Sequence, residues 1–418
     1  MLSDQENELI TRVGPGTVAG SLMSHYWFPV LLAEELEQPG GTPKKVRLLG
    51  RDLVAFRDTE GRIGILDEYC SHRGASLALA RNEECGLRCL YHGWKYGFDG
   101  EVQEIPTEPK ERRAHLTQSV RHPAYPSHEG GGLIWTCLGD PATAFQPPPF
   151  IWTELPPNQI VVTKILQRCN WLQALEGAMD PAHLEVLHHD AFRSDMSFVD
   201  SAADSLDVRY ADTDYGFVMG IIRDPDDAQD GVRHVTANPF VMPSTVLTSL
   251  NKGRGTSGVF VPIDDENTYV YTVTFAYEEP IDREAILKMR GMRPGVDVDE
   301  NFQSPRTAAN GWLQDREAMA RGESYSGLGG LTLEDVVIGE SQGPLRSRAR
   351  EHLGPLDIAI AHLRQVYLNE LKQVSDGSPP QLASDSAALI GLRSRTGLVE
   401  GDRHWSEIMA VGAASGHA

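Results

Sequence analysis

The chain has 418 residues, of which 40% are hydrophobic and 23% charged, with 40 Gly and 26 Pro, a composition typical of a loop-rich globular protein with room for two or three domains. Lys and Arg total 38 against 59 acidic residues, and the net charge of -21 excludes nucleic acid and anionic membrane surfaces as expected partners. There is no basic leader and no run of 18 apolar residues, so we expect a cytoplasmic protein.

Short apolar runs alternate with turn residues from Trp27 to about Asp140 and predict an all-β unit of short strands. Residues 141–150 contain four prolines, which indicate a linker and a domain boundary near residue 145. We therefore expect an all-β domain over residues 25–145, with residues 1–24 packing as an N-terminal helical extension.

The rest of the chain begins with a helical pattern over residues 170–189. Three alternating segments between residues 208 and 280 then predict strands of an antiparallel sheet. Helical patterns return from about Asp282 and again between Glu334 and Lys372. Because a block of strands is followed by helices without regular alternation, we predict an α+β fold class, with a second domain over residues 146–418.

The five cysteines are too few and too unevenly spread for a disulfide framework, and three of them fall within twenty residues, which suggests a metal site. Cys70 is followed by His72, and Cys89 by His92. Two thiolates and two imidazoles are typical of tetrahedral zinc, or of a [2Fe–2S] cluster in which two histidines bind one iron. Zinc sites more often take two residues of one kind from each loop, whereas here each loop supplies one Cys and one His.

The segments around these residues, CSHRGASL (70–77) and CLYHGWKYGFDG (89–100), closely resemble the Rieske loops of ring-hydroxylating oxygenases. The resemblance extends from residue 11 to residue 360 and points to the phthalate dioxygenase group. It implies a helix-grip type of catalytic domain over 146–418 and a Rieske [2Fe–2S] cluster in the domain 25–145. The implied cluster ligands are Cys70, His72, Cys89 and His92. Cys85 lies outside the family pattern, and we interpret it as a buried structural thiol.

A second motif places Asp180, His183 and His188 in one segment. Taken alone, Asp180 could be a helix N-cap with Pro181 at the first helical position, and the histidines ordinary polar residues of that helix. Five residues of ideal helix separate His183 from His188 by about 140° around the axis, so a bend or bulge is needed to bring them to one ion.

The resemblance implies that His183 and His188, together with a distant carboxylate, form a 2-His-1-carboxylate Fe(II) site with an open face for O2 and substrate. Helical geometry does not exclude His189, and only the family spacing selects His188. The implied third ligand is Asp335, which precedes a Glu-Ser-x-Gly sequence. Asp315 is the alternative, in a context typical of a helix surface.

Related enzymes pass electrons between neighbouring subunits, which implies a homotrimer or a stacked pair of trimers. In this arrangement Asp180 would connect His183 with His92 of the partner subunit, and we expect it to be catalytic. No strand-associated G-x-G-x-x-G fingerprint is present, so electrons are expected from a separate NAD(P)H-dependent reductase with flavin and a plant-type iron–sulfur centre.

The resemblance also implies an arginine that binds a ring carboxylate, and Arg233 stands at one such position; an ordinary surface cation is the alternative. A second arginine would be expected between His189 and Tyr210, where only Arg193 and Arg209 occur. A substrate with one carboxylate is therefore as consistent with the sequence as phthalate.

Dihydroxylation of an aryl carboxylate such as a phthalate or benzoate is the leading hypothesis, with monooxygenation or O-demethylation as alternatives that use the same ligands. Two hypotheses come from other classes of protein. An iron–sulfur electron-transfer protein would need only residues 25–140, and a zinc-stabilised structural protein would use the same four Cys and His residues.

Overall fold

The computed structural model describes residues 2–193, 206–223, 232–250, 253–400 and 403–409. The chain divides into an N-terminal unit, Val13–Pro147, and a C-terminal unit, Met1–Arg12 with Pro148–Ala418. The first helix thus belongs with the C-terminal unit, whereas residues 13–24, expected in the N-terminal extension, group with the N-terminal unit. Within the described ranges, no helix is long and apolar enough to cross a membrane.

The N-terminal unit consists mainly of short antiparallel strands, because its apolar runs are interrupted by turn residues every few positions. Its described residues form three small sheets in the orders β1-β11-β10, β2-β3-β4-β9 and β5-β6-β7-β8. The strands are β1 (Phe28–Leu32), β2 (Lys44–Leu48), β3 (Arg51–Arg57), β4 (Ile63–Asp67), β5 (Arg81–Glu83), β6 (Gly86–Arg88), β7 (Lys95–Tyr96), β8 (Val102–Glu104), β9 (Ala124–Tyr125), β10 (Ser127–Gly130) and β11 (Leu133–Thr136). Two helices, α2 (Val18–Ser24) and α3 (Lys110–Ser119), complete this unit.

One sheet of the C-terminal unit has eight antiparallel strands among the described residues. Its order is β12-β18-β17-β16-β15-β14-β13, and β19 pairs with the first part of β15. The strands are β12 (Ile160–Gln167), β13 (Asp207–Asp212), β14 (Gly216–Arg223), β15 (Val232–Val241), β16 (Thr245–Leu250), β17 (Arg254–Pro262), β18 (Thr268–Ala276) and β19 (Arg395–Glu400). The predicted α+β fold is therefore confirmed. The sequence did not predict strand β17, because the first half of its segment RGTSGVFVP consists of small and polar residues that are not typical of strands.

The helices of the C-terminal unit are shorter than the sequence pattern suggests. They are α1 (Asp4–Thr11), α4 (Trp171–Ala178), α5 (His183–Leu187), α6 (His189–Arg193), α7 (Arg283–Arg290), α8 (Arg316–Ala320), α9 (Leu331–Ser341) and α10 (Ile358–Ser375). The pattern between Glu334 and Lys372 corresponds to α9 and α10, because Gly343 adopts φ +87° just after α9 and Pro344 follows it.

Candidate active site

The two Cys/His pairs lie on two loops of the N-terminal unit that fold alike. In each loop a glycine amide donates to the carbonyl oxygen of the cysteine four residues earlier, Gly74 to Cys70 at 2.8 Å and Gly93 to Cys89 at 3.0 Å. Both glycines adopt left-handed conformations, with φ of +71° and +75°, which glycine adopts at little cost. Each loop therefore begins at a cysteine and turns back after its histidine.

The donor atoms of these loops converge. Cys70 and Cys89 are 4% and 2% exposed, and the rings of His72 and His92 lie 4.5 Å apart. The His72 ring stacks on Trp94, and its buried Nδ1 has no hydrogen-bond partner among the described residues. Burial raises the pKa of the Cys89 thiol, and the neighbouring Cys70 adds to this effect. Paired buried thiols and a buried imidazole nitrogen without a partner fit a metal group bound between the loops.

The spacing of these donors fits a cluster better than a single ion. Over the ranges that the structure describes, only His183, His188 and Asp335 form a set of three or more Cys, His or acidic ligand atoms that all lie within 4.8 Å of one another. Zinc bonds of about 2.0–2.3 Å would require such closeness. Two sulfurs and two nitrogens spread over two loops match the two irons of a Rieske centre.

Cys85 lies apart from these donors. It is only partly buried, in contrast to the expected buried thiol, and adopts φ +64°. Its Sγ lies 3.4 Å from Thr59 Oγ1. All five cysteines are free, as expected for a chain without a disulfide framework.

The second motif lies in the C-terminal unit, where the chain breaks its helix twice. Helix α4 begins at the N-cap Asn170 and ends at Ala178, just before Asp180 and Pro181. Helix α5 ends at Leu187, and His188 adopts φ -93° and ψ 25°, outside the helical range. In an ideal helix these two side chains would point in directions about 140° apart. Because the helix ends before His188, the rings of His183 and His188 instead lie 5.2 Å apart.

Asp335 on α9 faces both histidines. Its Oδ1 lies 3.5 Å from His183 Nε2 and 3.0 Å from His188 Nε2. His188 is buried, whereas the Asp335 side chain is half exposed. Burial alone would raise the pKa of the Asp335 carboxyl, but the two histidines outweigh it and lower that pKa. Two imidazoles and one carboxylate thus form a compact set with the donor types of a non-haem iron site.

Glu334, the residue before Asp335, is a second carboxylate that the sequence reasoning did not single out. It is buried, and its Oε2 lies 2.7 Å from His188 Nδ1. Ser326 donates its hydroxyl to the other carboxylate oxygen. Burial opposes a charge on His188, but Asp335 and Glu334 outweigh it and raise the pKa of His188 to about 9. The adjacent acidic pair Glu334-Asp335 was the available signal.

The structure also places the alternative ligands. The ring of His189 packs against Tyr325 at 5.1 Å. Asp315 is the N-cap of α8, where its Oδ1 accepts a hydrogen bond of 2.8 Å from the amide of Ala318. Neither residue belongs to the set formed by His183, His188 and Asp335.

Asp180 lies beside this set. Its Oδ2 is 3.8 Å from His183 Nδ1, and its Oδ1 accepts a hydrogen bond of 2.8 Å from the amide of Ala182. The N-cap of α5 is Ala182, so the alternative interpretation of Asp180 as a helix N-cap is wrong, and Asp180 lies in the turn before the helix.

The arginines expected to bind substrate lie elsewhere. Arg233 on β15 donates from Nη2 to the carbonyl oxygen of Arg403, 3.1 Å away, and does not line the cavity beside His183. The guanidinium of Arg233 is therefore directed to the backbone, and the expected substrate-binding role of this residue stays a prediction that the cavity geometry does not support. Arg209 is exposed and pairs with Asp207, and the side chain of Arg193 lies outside the described residues.

A cavity of about 540 Å³ opens beside His183, His188 and Asp335. The sheet contributes a group of apolar side chains, here called the apolar wall, beside polar residues such as Asn238 and Thr272; the group consists of Met219, Ile221, Val246, Phe260 and Val270. Its volume lies within the usual range of small-molecule sites.

Another part of the cavity lining carries Glu176, Glu351, Arg346 and Arg364, which form an ion cluster with the fully buried Arg348 behind them. Glu176 Oε1 lies 2.9 Å from Arg348 Nε and 2.7 Å from Arg364 Nε. Glu351 pairs with Arg364, and its Oε2 lies 2.7 Å from Arg346 Nη2. The positive charges of these arginines are therefore paired with carboxylates of the protein itself.

Comparison with known proteins identifies both units. The Rieske [2Fe-2S] domain family matches residues 26–125, and the family described as LigXa C-terminal domain like matches residues 135–416. The phthalate 4,5-dioxygenase oxygenase subunit of Pseudomonas putida is 35% identical, covering 98% of this chain and 95% of that protein. The 3-chlorobenzoate-3,4-dioxygenase oxygenase subunit of Comamonas testosteroni is 30% identical, covering 89% of each.

A third relative, the 5,5'-dehydrodivanillate O-demethylase oxygenase subunit of Sphingobium sp. (strain NBRC 103272 / SYK-6), is 30% identical over 91% of this chain and 83% of its own length. Among solved structures, NdmA of Pseudomonas putida CBB5 with theobromine has a TM-score of 0.59 at 19% identity, covering 96% and 99% of the two chains. The terminal oxygenase of carbazole 1,9a-dioxygenase from Nocardioides aromaticivorans IC177 has a TM-score of 0.57 at 16% identity, covering 88% and 97%. These structural likenesses show the same fold.

The predicted Rieske domain, mononuclear iron domain and oxygenase function are thereby confirmed, and the electron-transfer and zinc-protein alternatives are set aside. The chain belongs to the Rieske non-haem iron ring-hydroxylating oxygenases, as the oxygenase component of a multicomponent system.

Proposed function

We propose that this oxygenase dihydroxylates the ring of an aryl carboxylate, using iron bound by His183, His188 and Asp335. The observation that carries the proposal is the position of these three side chains beside a cavity of about 540 Å³ with an apolar wall. Three protein ligands leave coordination positions for O2 and substrate. The bound iron would supply O2 activation, and the apolar wall would hold the substrate ring in the cavity.

The electrons enter through a cluster held by Cys70, His72, Cys89 and His92. The neutral histidine ligands raise the potential of such a cluster to roughly -150 to +300 mV, which allows it to accept electrons from a plant-type ferredoxin centre at about -400 mV. A separate NAD(P)H-dependent reductase with flavin and such a centre is the proposed donor.

Asp180 is the proposed link between the two centres in a homotrimer or stacked pair of trimers. Its carboxylate, 3.8 Å from His183 Nδ1, stands where it can orient that imidazole. In the proposed assembly the same carboxylate accepts a hydrogen bond from His92 of the partner subunit. Its role is therefore in electron transfer and turnover.

Two relatives support an aromatic acid as the substrate, since they are named for dioxygenation of phthalate and of 3-chlorobenzoate. A third relative is named an O-demethylase. Demethylation of a methoxylated aromatic acid is therefore the second candidate function. Both reactions can use the same three iron ligands and differ in how the substrate lies in the cavity.

The product under ¹⁸O2 separates these reactions. The holoenzyme would be supplied with NAD(P)H, a reductase and either benzoate or 3-methoxybenzoate. Dihydroxylation places two labelled oxygens on the ring, whereas demethylation releases formaldehyde and monooxygenation places one labelled oxygen in the product. If every accepted substrate gave only formaldehyde, demethylation would replace dihydroxylation as the proposed reaction. If every accepted substrate gave only a singly labelled product, monooxygenation would replace it.

A further inference from the structure

Arg290 occupies an unusual position at the end of α7. It is 7% exposed, and its side chain lines the cavity that also contains His183, His188 and Asp335. Nε donates to Thr274 Oγ1 at 2.9 Å, and Nη2 donates to Thr256 Oγ1 at 2.7 Å. Two neighbouring strands, β17 and β18, thus fix the guanidinium at the cavity wall with neutral hydroxyl groups.

The other cavity arginines have carboxylate partners. Arg223 Nη2 lies 3.3 Å from Glu185 Oε1, and Arg346 and Arg364 belong to the ion cluster around Glu176. For Arg290, by contrast, no ion pair exists with any carboxylate in the described part of the chain, and Asp335 acts on it only from a distance.

A buried guanidinium without a carboxylate partner is unfavourable for the stability of the protein when no ligand is bound. Burial lowers the pKa of Arg290 to about 10, against a smaller opposing effect of Asp335, so the guanidinium is still charged at neutral pH. Buried charges are normally paired, because transfer out of water is expensive. A ligand that brings a negative charge into the cavity would supply the missing partner.

The free donors of Arg290 suit a carboxylate. A guanidinium has five N–H groups, and the two threonine hydroxyls take one from Nε and one from Nη2. Both hydrogens of Nη1 and the second of Nη2 remain, which is the pair of nitrogens that binds the two oxygens of a carboxylate. The apolar wall of Met219, Val246 and Phe260 offers space for a ring.

We propose that Arg290 binds the substrate carboxylate and makes the cavity selective for aryl acids with one carboxylate group over aryl dicarboxylates. This inference rests on the proposed function and adds to it the residue that sets the substrate class. A single arginine without a carboxylate partner matches a single negative charge, whereas Arg223, Arg346 and Arg364 in the same lining are already paired with carboxylates of the protein.

The test compares the binding of benzoate, benzamide and phthalate to the holoenzyme by calorimetry, with cluster and iron content measured for every variant. Charge-assisted hydrogen bonds lead us to expect that the native enzyme binds benzoate about 100-fold more tightly than benzamide. In Arg290→Gln this preference should fall to less than about 5-fold, while the Kd of benzamide stays within about 3-fold. Phthalate should bind at least about 10-fold more weakly than benzoate to the native enzyme.

Arg293→Gln is the matched control, because Arg293 lies three residues further on, is about half exposed and pairs with Asp297 outside the cavity. It should keep the native preference. Arg290→Lys retains the charge in the wall without the fork of donors and should keep an intermediate preference. Thr256→Val removes the acceptor of Nη2 together with the hydrogen bond from Thr256 Oγ1 to the carbonyl oxygen of Val273, and it should lose part of the preference. If Arg290→Gln does not fold, the preference of these two variants for benzoate over benzamide tests the role of Arg290 instead.

A native enzyme without preference for benzoate, or a preference that survives in Arg290→Gln, would overturn the assignment of Arg290. Oxygenation of benzoate by such an enzyme would leave the proposed function intact. Conversely, Arg290-dependent binding of benzoate without any oxygenated product, in the presence of reductase and O2, would support this inference and remove the proposed function.

Discussion

The buried carboxylate of Glu334 lies 2.7 Å from His188 Nδ1, on the side of the ring opposite to Asp335. Two successive residues of α9 therefore contact the two nitrogens of one imidazole. An N–H at Nδ1 that donates to Glu334 leaves the lone pair of Nε2 for a metal ion. We therefore expect Glu334 to orient His188 and to favour the tautomer with its hydrogen on Nδ1.

Replacement of Glu334 by Ala should weaken iron binding about 10- to 100-fold, the usual effect of losing the hydrogen-bond partner of a histidine ligand. Glu334→Gln keeps an oxygen acceptor and should lose less. Titration of the iron with a competing chelator measures this, with the Rieske EPR signal as the internal control. Native iron affinity in Glu334→Ala would contradict the positioning role.

Asp335 and Asp315 provide a matched pair of acidic residues. Asp335→Asn should remove the mononuclear iron and oxygenase activity, because the carboxylate faces both imidazoles. Asp315→Ala should cost about 1 kcal/mol of stability through loss of the N-cap of α8 and leave the iron content unchanged. Iron analysis and thermal unfolding distinguish the two effects, and loss of iron from Asp315→Ala would refute the assignment.

Asp180→Asn should keep both metals yet lower coupled turnover by about 100-fold, since its carboxylate lies 3.8 Å from His183 Nδ1 and outside the set of iron ligands. The measurements are metal content, the rate of cluster reduction by the reductase, and product formed per O2 consumed. Product formation at the native rate in Asp180→Asn would contradict a role of Asp180 in electron transfer.

The ion cluster around Glu176 should dominate the acid sensitivity of the C-terminal unit. Removing one partner of a buried pair costs about 3–5 kcal/mol, so Glu176→Gln should be strongly destabilised in chemical unfolding at neutral pH. Glu317→Gln is the control, because Glu317 is 91% exposed and 3.8 Å from Arg321. Equal stability of the two variants would show that the cluster contributes little.

Glu176 should also make the free energy of unfolding depend on pH. Burial alone would raise the pKa of Glu176, but the charges of Arg348 and Arg364 outweigh it and hold this pKa below its usual value. Such a carboxyl stabilises the fold fully above its unfolded pKa of about 4.3, and the contribution is lost as the pH falls through the lower folded pKa. The free energy of unfolding should therefore decrease more steeply below about pH 4 in the native protein than in Glu176→Gln.

The elements that local pattern determines could be predicted from the sequence. The apolar runs of residues 208–250 are bounded by turn residues, the helix after Asp282 has an N-cap, and Cys70 to His92 form a compact motif. The choice of His188 and Asp335 depended on resemblance, because an ideal helix places His183 and His188 on different faces. The break at His188 that joins them depends on tertiary packing, which no periodicity encodes.

The residues that sequence reasoning missed act through contacts between distant segments. Glu334 meets His188 from 146 residues away, and Arg290 meets Thr256 across 34 residues. Arg233 was chosen because the related family has an arginine at that position, but its guanidinium donates to the backbone at Arg403. Which arginine lacks a carboxylate partner is a property of the folded cavity and could not be inferred from composition or spacing.

The most direct test of the account is the EPR spectrum of the dithionite-reduced protein together with its iron and zinc content. We predict a rhombic signal with the low average g value of a Rieske cluster, and about three irons per chain, two in the cluster and one at His183, His188 and Asp335. An EPR-silent protein that carries zinc would contradict both the cluster and the oxygenase mechanism built on it.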